Sequence, residues 1–342
     1  MNIFIFKMAG SRRSMFTLKR CLYFYLIFGL AALSSLTAFT WASSDPEECD
    51  ARSIVLVNNE GQEETVQLSS YPKKKWISSD GREKFLYIIQ PEKSVYYVPT
   101  FLDNEELVTE LISFCQDQQR FVRSPQRQSG GATSKDDKRT SESCPMIPSG
   151  TYLKNPQYQD MVSNYRNGRG SDGGDEAYRQ QIYNLMQEVN VTWQITQQAA
   201  SLPISENGNA IDPYHVEPLQ LVRYMGSGAT CRTHHDHGSF YGNHDSEQRP
   251  FTILVYLNNV EGGGGATYFP KLGLRFQPVP GDAIIWSNVK QSDDEDGTMV
   301  VDPDMVHAGE PPASEDGTKY ALNIWIGQAA LSTDNASQGQ WS

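Results

Sequence analysis

The chain has little of what a structural zinc site needs. Its five cysteines include no Cys-x-x-Cys pair, and such pairs are the usual spacing of tetrahedral thiolate sites. No internal repeat is evident. Basic charge is also scarce beyond the N-terminus. Five of the 29 lysines and arginines (Lys7, Arg12, Arg13, Lys19 and Arg20) fall within the first 20 positions, which hold no acid. That leaves 24 basic against 41 acidic residues, a net of −17. A body this acidic argues against nucleic acid as a partner, because phosphate binding needs a basic surface. It suits a domain that receives neutral or basic polypeptides. Hydrophobic content of 38% and charged content of 20% describe a globular chain, not a disordered one.

Charge is absent altogether from Cys21–Ala42, CLYFYLIFGLAALSSLTAFTWA. A basic flank followed by an apolar run is the pattern of a secretory targeting segment. A span of ~20 residues also crosses a bilayer. Two readings stand: a signal peptide cut after the small residues near Ala42, or an uncleaved anchor with its positive end in the cytosol and the body in the lumen. The length of the run favours the anchor, a single-pass type II arrangement in the endoplasmic reticulum or Golgi. Cys49, Cys115, Cys144 and Cys231 then permit two disulfides, with three pairings open. Asn190-Val-Thr192 and Asn335-Ala-Ser337 are glycosylation sequons.

Residues 46–93 read as a small β-rich lead-in, with strands at Ser53–Val57 and Phe85–Ile89. A strand at Val95–Val98 enters a helix for which Asp103 is the expected N-cap and Glu106 its partner. Residues 116–143 read as a polar loop, and Ile182, Leu185, Met186, Val189 and Trp193 recur at helical spacing. From Leu219 the texture changes to short strands: Leu219–Tyr224, Phe251–Asn258, Ala266–Phe269, Leu274–Pro278, Ala283–Ser287, Met299–Val301 and Tyr320–Ile326. The expected fold is mainly β with flanking helices (α+β), built on a double-stranded β-helix or jelly-roll core. The expected organisation is 1–45 targeting segment, 46–93 lead-in, 94–330 catalytic domain and 331–342 polar tail.

Histidines are few and clustered. Of six, three lie in Thr233-His-His-Asp-His-Gly238, and His307 alone lies beyond His244. In a strand, positions i and i+2 share a face, so His234 and Asp236 can aim an imidazole and a carboxylate at one point. With His307 they would make two histidines and a carboxylate on one face of an octahedron, the arrangement of non-haem iron(II) oxygenases. Lys319 follows His307 by 12 residues, a distance that a hairpin can fold back on itself. Its ammonium could pair with a dicarboxylate.

Residues 94–327 resemble the catalytic domain of the prolyl 4-hydroxylase family, within the iron(II)/2-oxoglutarate dioxygenases. The resemblance rests on Tyr97-Val-Pro-Thr-Phe-Leu-Asp103, Arg139-Thr-Ser141, Arg249-Pro-Phe-Thr-Ile-Leu-Val-Tyr-Leu-Asn258 and Gly264-Gly-Ala-Thr-Tyr-Phe-Pro270. Pro280-Gly-Asp-Ala283, His307-Ala-Gly309, Lys319 and Trp325 follow in order. It implies iron(II) on His234, Asp236 and His307, and 2-oxoglutarate held at its distal carboxylate by Lys319. Tyr224, Thr267 and Trp325 would line the cosubstrate pocket, and L-ascorbate would be the reductant. No catalytic residue beyond the metal ligands is expected. The implied partners are dioxygen, a proline-rich polypeptide hydroxylated at carbon 4, and the membrane through residues 21–42 if the run is uncleaved. Alternatives are a dioxygenase acting on lysine or another side chain, and a non-catalytic jelly-roll peptide-binding module. The chain departs from the family pattern in three places. Cys231 stands where a second aromatic is usual, Tyr224 lies one residue early, and the hairpin after His307 carries two extra residues within Ala313–Asp316. Loops Gly238–Gln248 and Ser287–Asp304, the latter with Asp293-Asp-Glu-Asp296, would wall the substrate groove.

Overall fold

A computed structural model describes residues 52–124, 126–127, 133–134, 140–168, 176–205, 208–229, 231–237, 249–292, 298–328 and 330. Cys21–Ala42, Cys49, Arg139, Gly238–Gln248, Asp293–Asp296, Asn335 and the 331–342 tail lie outside them, as does much of the 116–143 loop. Among the described residues no helix is long and apolar enough to cross a membrane.

The strands in chain order are β1 (Ser53–Val57), β2 (Glu63–Gln67), β3 (Lys73–Ile77), β4 (Glu83–Gln90) and β5 (Val95–Val98). Then come β6 (Val122–Arg123), β7 (Gln126–Arg127), β8 (Thr133–Ser134), β9 (Glu142–Pro145), β10 (Gln220–Met225) and β11 (Cys231–His234). The rest are β12 (Phe251–Tyr256), β13 (Thr267–Phe269), β14 (Leu274–Phe276), β15 (Ala283–Ser287), β16 (Val289–Gln291), β17 (Met299–Val301), β18 (His307–Gly309) and β19 (Thr318–Ile326). Helices α1 (Glu105–Gln116), α2 (Ser149–Lys154), α3 (Pro156–Arg166) and α4 (Glu176–Ala200) lie between β5 and β10.

One sheet has six strands, β11-β18-β13-β14-β1-β2, and the other nine, β3-β4-β5-β15-β12-β19-β10-β9-β6. All their pairings are antiparallel. From β10 to β19 the chain passes repeatedly between the sheets, as a jelly roll requires. The segment read as a lead-in is hydrogen-bonded into both: β1 and β2 extend the smaller sheet, β3 and β4 the larger.

Period-2 alternation explains how the large sheet serves two cores. On β12, Ile253 and Val255 join a cluster with Leu111 and Phe114 of α1 and with Val191, Ile195 and Ala199 of α4. Leu254 and Tyr256 point the other way, into a cluster with Phe269, Leu274 and Phe276 of the smaller sheet. The two earlier helical patterns therefore pack on one face of the sheet assembly, as their spacing predicts. The site grows out of the second cluster, between the sheets.

Two expectations need correction. The N-cap of α1 is Asn104, whose side chain accepts from the Leu107 N–H, and not Asp103. The Asp103 carboxylate is instead taken by Arg82, at 2.5 and 2.7 Å, and by Lys84 at 3.3 Å. A carboxylate engaged by two cations is not available to a backbone amide one turn away. Several short elements were also not foreseen, among them β2, β3, β9, β11, β16 and β18; β2 and β3 are mostly exposed and carry charged residues, so they show little apolar alternation.

Of the three cysteine pairings left open, the described residues contain a Cys115–Cys144 disulfide, which ties α1 to β9. Cys231 is a buried thiol. The bridge closes a 29-residue separation, so Cys115→Ser is expected to cost about 2–4 kcal/mol. A urea titration would register this as a lower midpoint, and loss of the midpoint difference under reducing conditions would tie it to the bridge.

Candidate functional site

Two strand ends bring His234 and His307 together. β11 and β18 pair so that His234 faces His307 directly. Their rings lie 4.4 Å apart. β11 ends at His234, so Asp236 lies just past the strand and not within it. The side chains nevertheless converge: His234 Nε2 is 3.4 Å from Asp236 Oδ1, and His307 Nε2 is 3.7 Å from Asp236 Oδ2. One donor atom from each of the three lies within 4.8 Å of the others. The His235 and His237 rings lie 5.8 Å apart, tilted against each other, and take no part in this group.

The surroundings set the charge states. Burial would raise Asp236, but the His307 and His234 imidazoles and the Trp325 N–H hold it well below the usual carboxylate range. Burial pulls His307 down to about 4, with the nearby His234 adding to the fall. For His234 burial acts the same way, yet bonds to Asp236 and Cys231 outweigh it and hold the imidazole at about 10. A neutral His307 and an ionised Asp236 are already in ligand form, while His234 would release a proton to a metal. His307 Nδ1 meets the Met305 carbonyl at 3.0 Å, which turns Nε2 toward the cluster. Phe269 and Trp286 wall the His307 ring at 5.4 and 4.7 Å. Two imidazoles and a carboxylate, mutually oriented and largely shielded from water, fit a divalent iron.

β19 carries the second half of the site. Lys319 and Trp325 are six residues apart on one strand and share a face. Lys319 is 1% exposed. Among the described residues its ammonium makes no hydrogen bond or ion pair; it lies 4.9 Å from the Tyr224 ring and 5.6 Å from the Tyr256 ring. Burial lowers it to about 8, partly offset by Cys231 and Glu310. Asn258 clamps the strand on either side of it, donating to the Thr318 carbonyl at 2.7 Å and accepting from the Tyr320 N–H at 2.6 Å. Tyr224 pairs opposite Lys319 across β10 and β19. Thr267 sits opposite Gly309, its Oγ1 2.9 Å from Tyr256 Oη. Cys231 joins the two halves: it pairs with Gly309, and its Sγ lies 3.6 Å from His234 Nδ1.

Trp325 is placed at the metal-ligand end, its Nε1 donating to Asp236 Oδ2 at 3.1 Å under the Arg249 guanidinium. Thr252, Asn288 and Trp286 border the cluster and were not singled out from the sequence. Nothing in a lone threonine, or in an asparagine at a strand end, distinguishes it before the strands are paired. Gly309 is small for a reason that can be tested. A Cβ there would meet Tyr224 Oη at 2.7 Å. Gly309→Ala is thus expected to cost about 1–3 kcal/mol of stability, read as a lower melting temperature, and Tyr224→Phe in the same chain should recover part of it.

Residues 219–327 match the family model described as the 2OG-Fe(II) oxygenase superfamily. Fold and site together define a 2OG–Fe(II) oxygenase domain. A protein of Acanthamoeba polyphaga mimivirus, named provisionally as a prolyl 4-hydroxylase, is 34% identical over 34% of this chain and 48% of its own length. Prolyl 4-hydroxylase subunit alpha-3 of Mus musculus is 34% identical over 35% of this chain and 21% of its own. Transmembrane prolyl 4-hydroxylase of Homo sapiens is 32% identical over 32% of this chain and 29% of its own. The chain thus spans from about a fifth to about half the length of these relatives. Within the oxygenase class, it is similar over about a third of its length to proteins named as prolyl 4-hydroxylases.

Proposed function

We propose that this chain is an iron(II)- and 2-oxoglutarate-dependent dioxygenase that hydroxylates peptidyl proline at carbon 4. His234, Asp236 and His307 hold the metal, and Lys319 holds the distal carboxylate of 2-oxoglutarate. The observation that carries this reading is the buried ammonium of Lys319, without an ion pair among the described residues, beside a His-Asp-His cluster. An enclosed cation in a β core is costly unless a ligand supplies the counter-charge. A jelly roll that only bound peptide would have no use for it. The iron, when bound with 2-oxoglutarate and dioxygen, supplies oxidation of a C–H bond to C–OH, coupled to oxidative decarboxylation of the cosubstrate to succinate.

The protein's own residues position and enclose. Lys319 orients the cosubstrate from one end, with Tyr224 and Tyr256 flanking its ammonium and Thr267 beside them. Phe269 and Trp286 keep the His307 edge dry. Cys231 occupies the space between the two halves where an aromatic is usual in the family. The acidic body suits neutral or basic proline-rich segments, which reach a groove already extended and at low ordering cost. The described part of the Ser287–Asp304 wall, the β16–β17 hairpin, borders that groove in this reading. L-Ascorbate serves as reductant.

The proposed setting is the secretory pathway, with the catalytic domain lumenal and residues 21–42 as a type II anchor. The Cys115–Cys144 disulfide supports an oxidising compartment, and Asn190 of the first sequon is exposed on α4.

The test is succinate formation by the purified body with iron(II), ascorbate and 2-oxoglutarate, with and without a proline-rich peptide. Peptide-stimulated succinate and a gain of one oxygen on proline are expected. Succinate without peptide stimulation would remove proline as the substrate, and none at all, with iron bound, would favour a binding module.

A further inference from the structure

Asp236 has two carboxylate oxygens, and a three-residue ligand set needs only one of them. Their surroundings differ. Oδ2 accepts from Thr252 Oγ1 at 3.1 Å and from Trp325 Nε1 at 3.1 Å. These two donors sit directly opposite each other on β12 and β19. Oδ1 lies 3.4 Å from His234 Nε2 and accepts from neither of these donors, while Oδ2 also lies 3.7 Å from His307 Nε2.

An indole N–H can only donate, so Trp325 is committed. A threonine hydroxyl is not, since its single proton can rotate to another acceptor. Here the rotation is settled by the groups behind it. Asn288 Nδ2 donates to Thr252 Oγ1 at 2.8 Å and to the Arg249 carbonyl at 3.1 Å. The Asn288 amide is in turn held in that sense by Trp286 Nε1, which donates to its Oδ1 at 2.8 Å. Thr252 therefore receives a proton from one side and delivers its own to the carboxylate on the other. Thr252, Asn288 and Trp286 are 0%, 2% and 1% exposed, so water does not compete for any link. The Trp286 ring also packs edge-on to His307, so one side chain braces two of the three clustered residues.

We propose that Trp286, Asn288 and Thr252 form a directional hydrogen-bond relay that reserves Asp236 Oδ2 for hydrogen bonding and leaves Oδ1 as its single metal-binding oxygen. Thr252 and Asn288 are positioning residues that act through Asp236. A single-oxygen carboxylate with two imidazoles leaves three of six octahedral positions open, whereas a chelating carboxylate leaves two. A two-point ketoacid plus dioxygen needs three. The relay rests on the proposed reading of the cluster as a metal centre, and it explains how that centre stays open.

The test compares the parent with Thr252→Val, Thr252→Ser and Asn288→Asp, all over residues 1–342 and freed of metal. Three quantities are read: Co(II) affinity by titration, the visible spectrum of the Co(II) form, and the melting temperature without metal. Thr252→Val removes the donor at nearly constant shape. Asn288→Asp keeps size but turns the donor facing Thr252 into an acceptor, so the Thr252 proton is drawn away from Asp236. Both are expected to weaken Co(II) binding about 10–100-fold and to change the spectrum, and Thr252→Ser to restore both. Should Thr252→Val lose the fold, as the melting temperature would reveal, Asn288→Asp carries the test. Parent-like affinity and spectrum in a folded Thr252→Val or Asn288→Asp would overturn the relay. So would a Thr252→Ser protein as impaired as Thr252→Val. A parent that binds no Co(II) would instead remove the metal centre, and the relay with it, before any variant is compared.

Discussion

Replacing His307 with alanine is expected to abolish peptide-stimulated succinate formation and to weaken Co(II) binding by well over 100-fold. The magnitude follows from comparison: loss of an outer partner of a metal ligand commonly costs 10–100-fold, and loss of a ligand itself must cost more. Two features make His307 the informative position. Its imidazole is already neutral at pH 7, because burial pulls it to about 4, so no proton must leave it for a metal to bind. It is also enclosed by Phe269 and Trp286, so the alanine variant leaves a cavity and some lost stability is expected. His307→Gln fills more of that space and separates the effects: it should recover melting temperature without recovering activity. A His307→Ala protein that bound Co(II) like the parent would show that the metal, if any, sits elsewhere.

Lys319→Met is expected to move function and stability in opposite directions. The variant removes a charge-assisted bond to the cosubstrate of about 1.5–3 kcal/mol, so the apparent KM for 2-oxoglutarate should rise roughly 10- to 150-fold. It also removes a buried ammonium whose titration falls from an ordinary 10.5 to about 8, mainly through desolvation. A fall of that size corresponds to roughly 3 kcal/mol held against the folded state, so the variant should melt higher. The pH dependence has a definite sign. Between about 8 and 10.5 the unfolded chain holds the Lys319 proton that the folded chain has released. The stability of the parent therefore gains with pH across that window, and below it the penalty is fully present. Cosubstrate affinity runs the other way, falling as pH rises through about 8, because the carboxylate needs the ammonium. Melting and KM measured from pH 7 to 10 would check both slopes, and Lys319→Met should flatten the contribution to each. A variant with unchanged KM would sink the assignment of Lys319 to the cosubstrate.

The outcome of each expectation depended on how much of its physics is local. Ala283–Ser287 was readable to the residue, because a strand buried on both faces is a continuous apolar run bounded by turn residues. The N-cap of α1 was misplaced by one residue, because what disqualifies Asp103 is Arg82 and Lys84, some 20 positions away in the chain. His234 and Asp236 were linked by the two-residue spacing, and the geometry keeps them together even though Asp236 lies beyond the strand. Lys319 was legible only through its distance from His307 and through family resemblance. Its environment, two tyrosine rings and no ion pair among the described residues, comes from β10 and β12 lying on either side of β19.

By itself, then, the order of residues along this chain determined the β-rich character, the two helical faces, the three clustered ligand candidates and the lysine that follows them. Those depend on spacing and side-chain chemistry, which are local. The tertiary structure alone decided that β1–β4 complete the sheets, that Cys115 meets Cys144, and that Thr252, Asn288 and Trp286 converge on one oxygen of Asp236. Each of these is a contact between segments far apart in the chain. No local pattern encodes such a contact, because it comes into being only when antiparallel strands from distant positions are laid side by side.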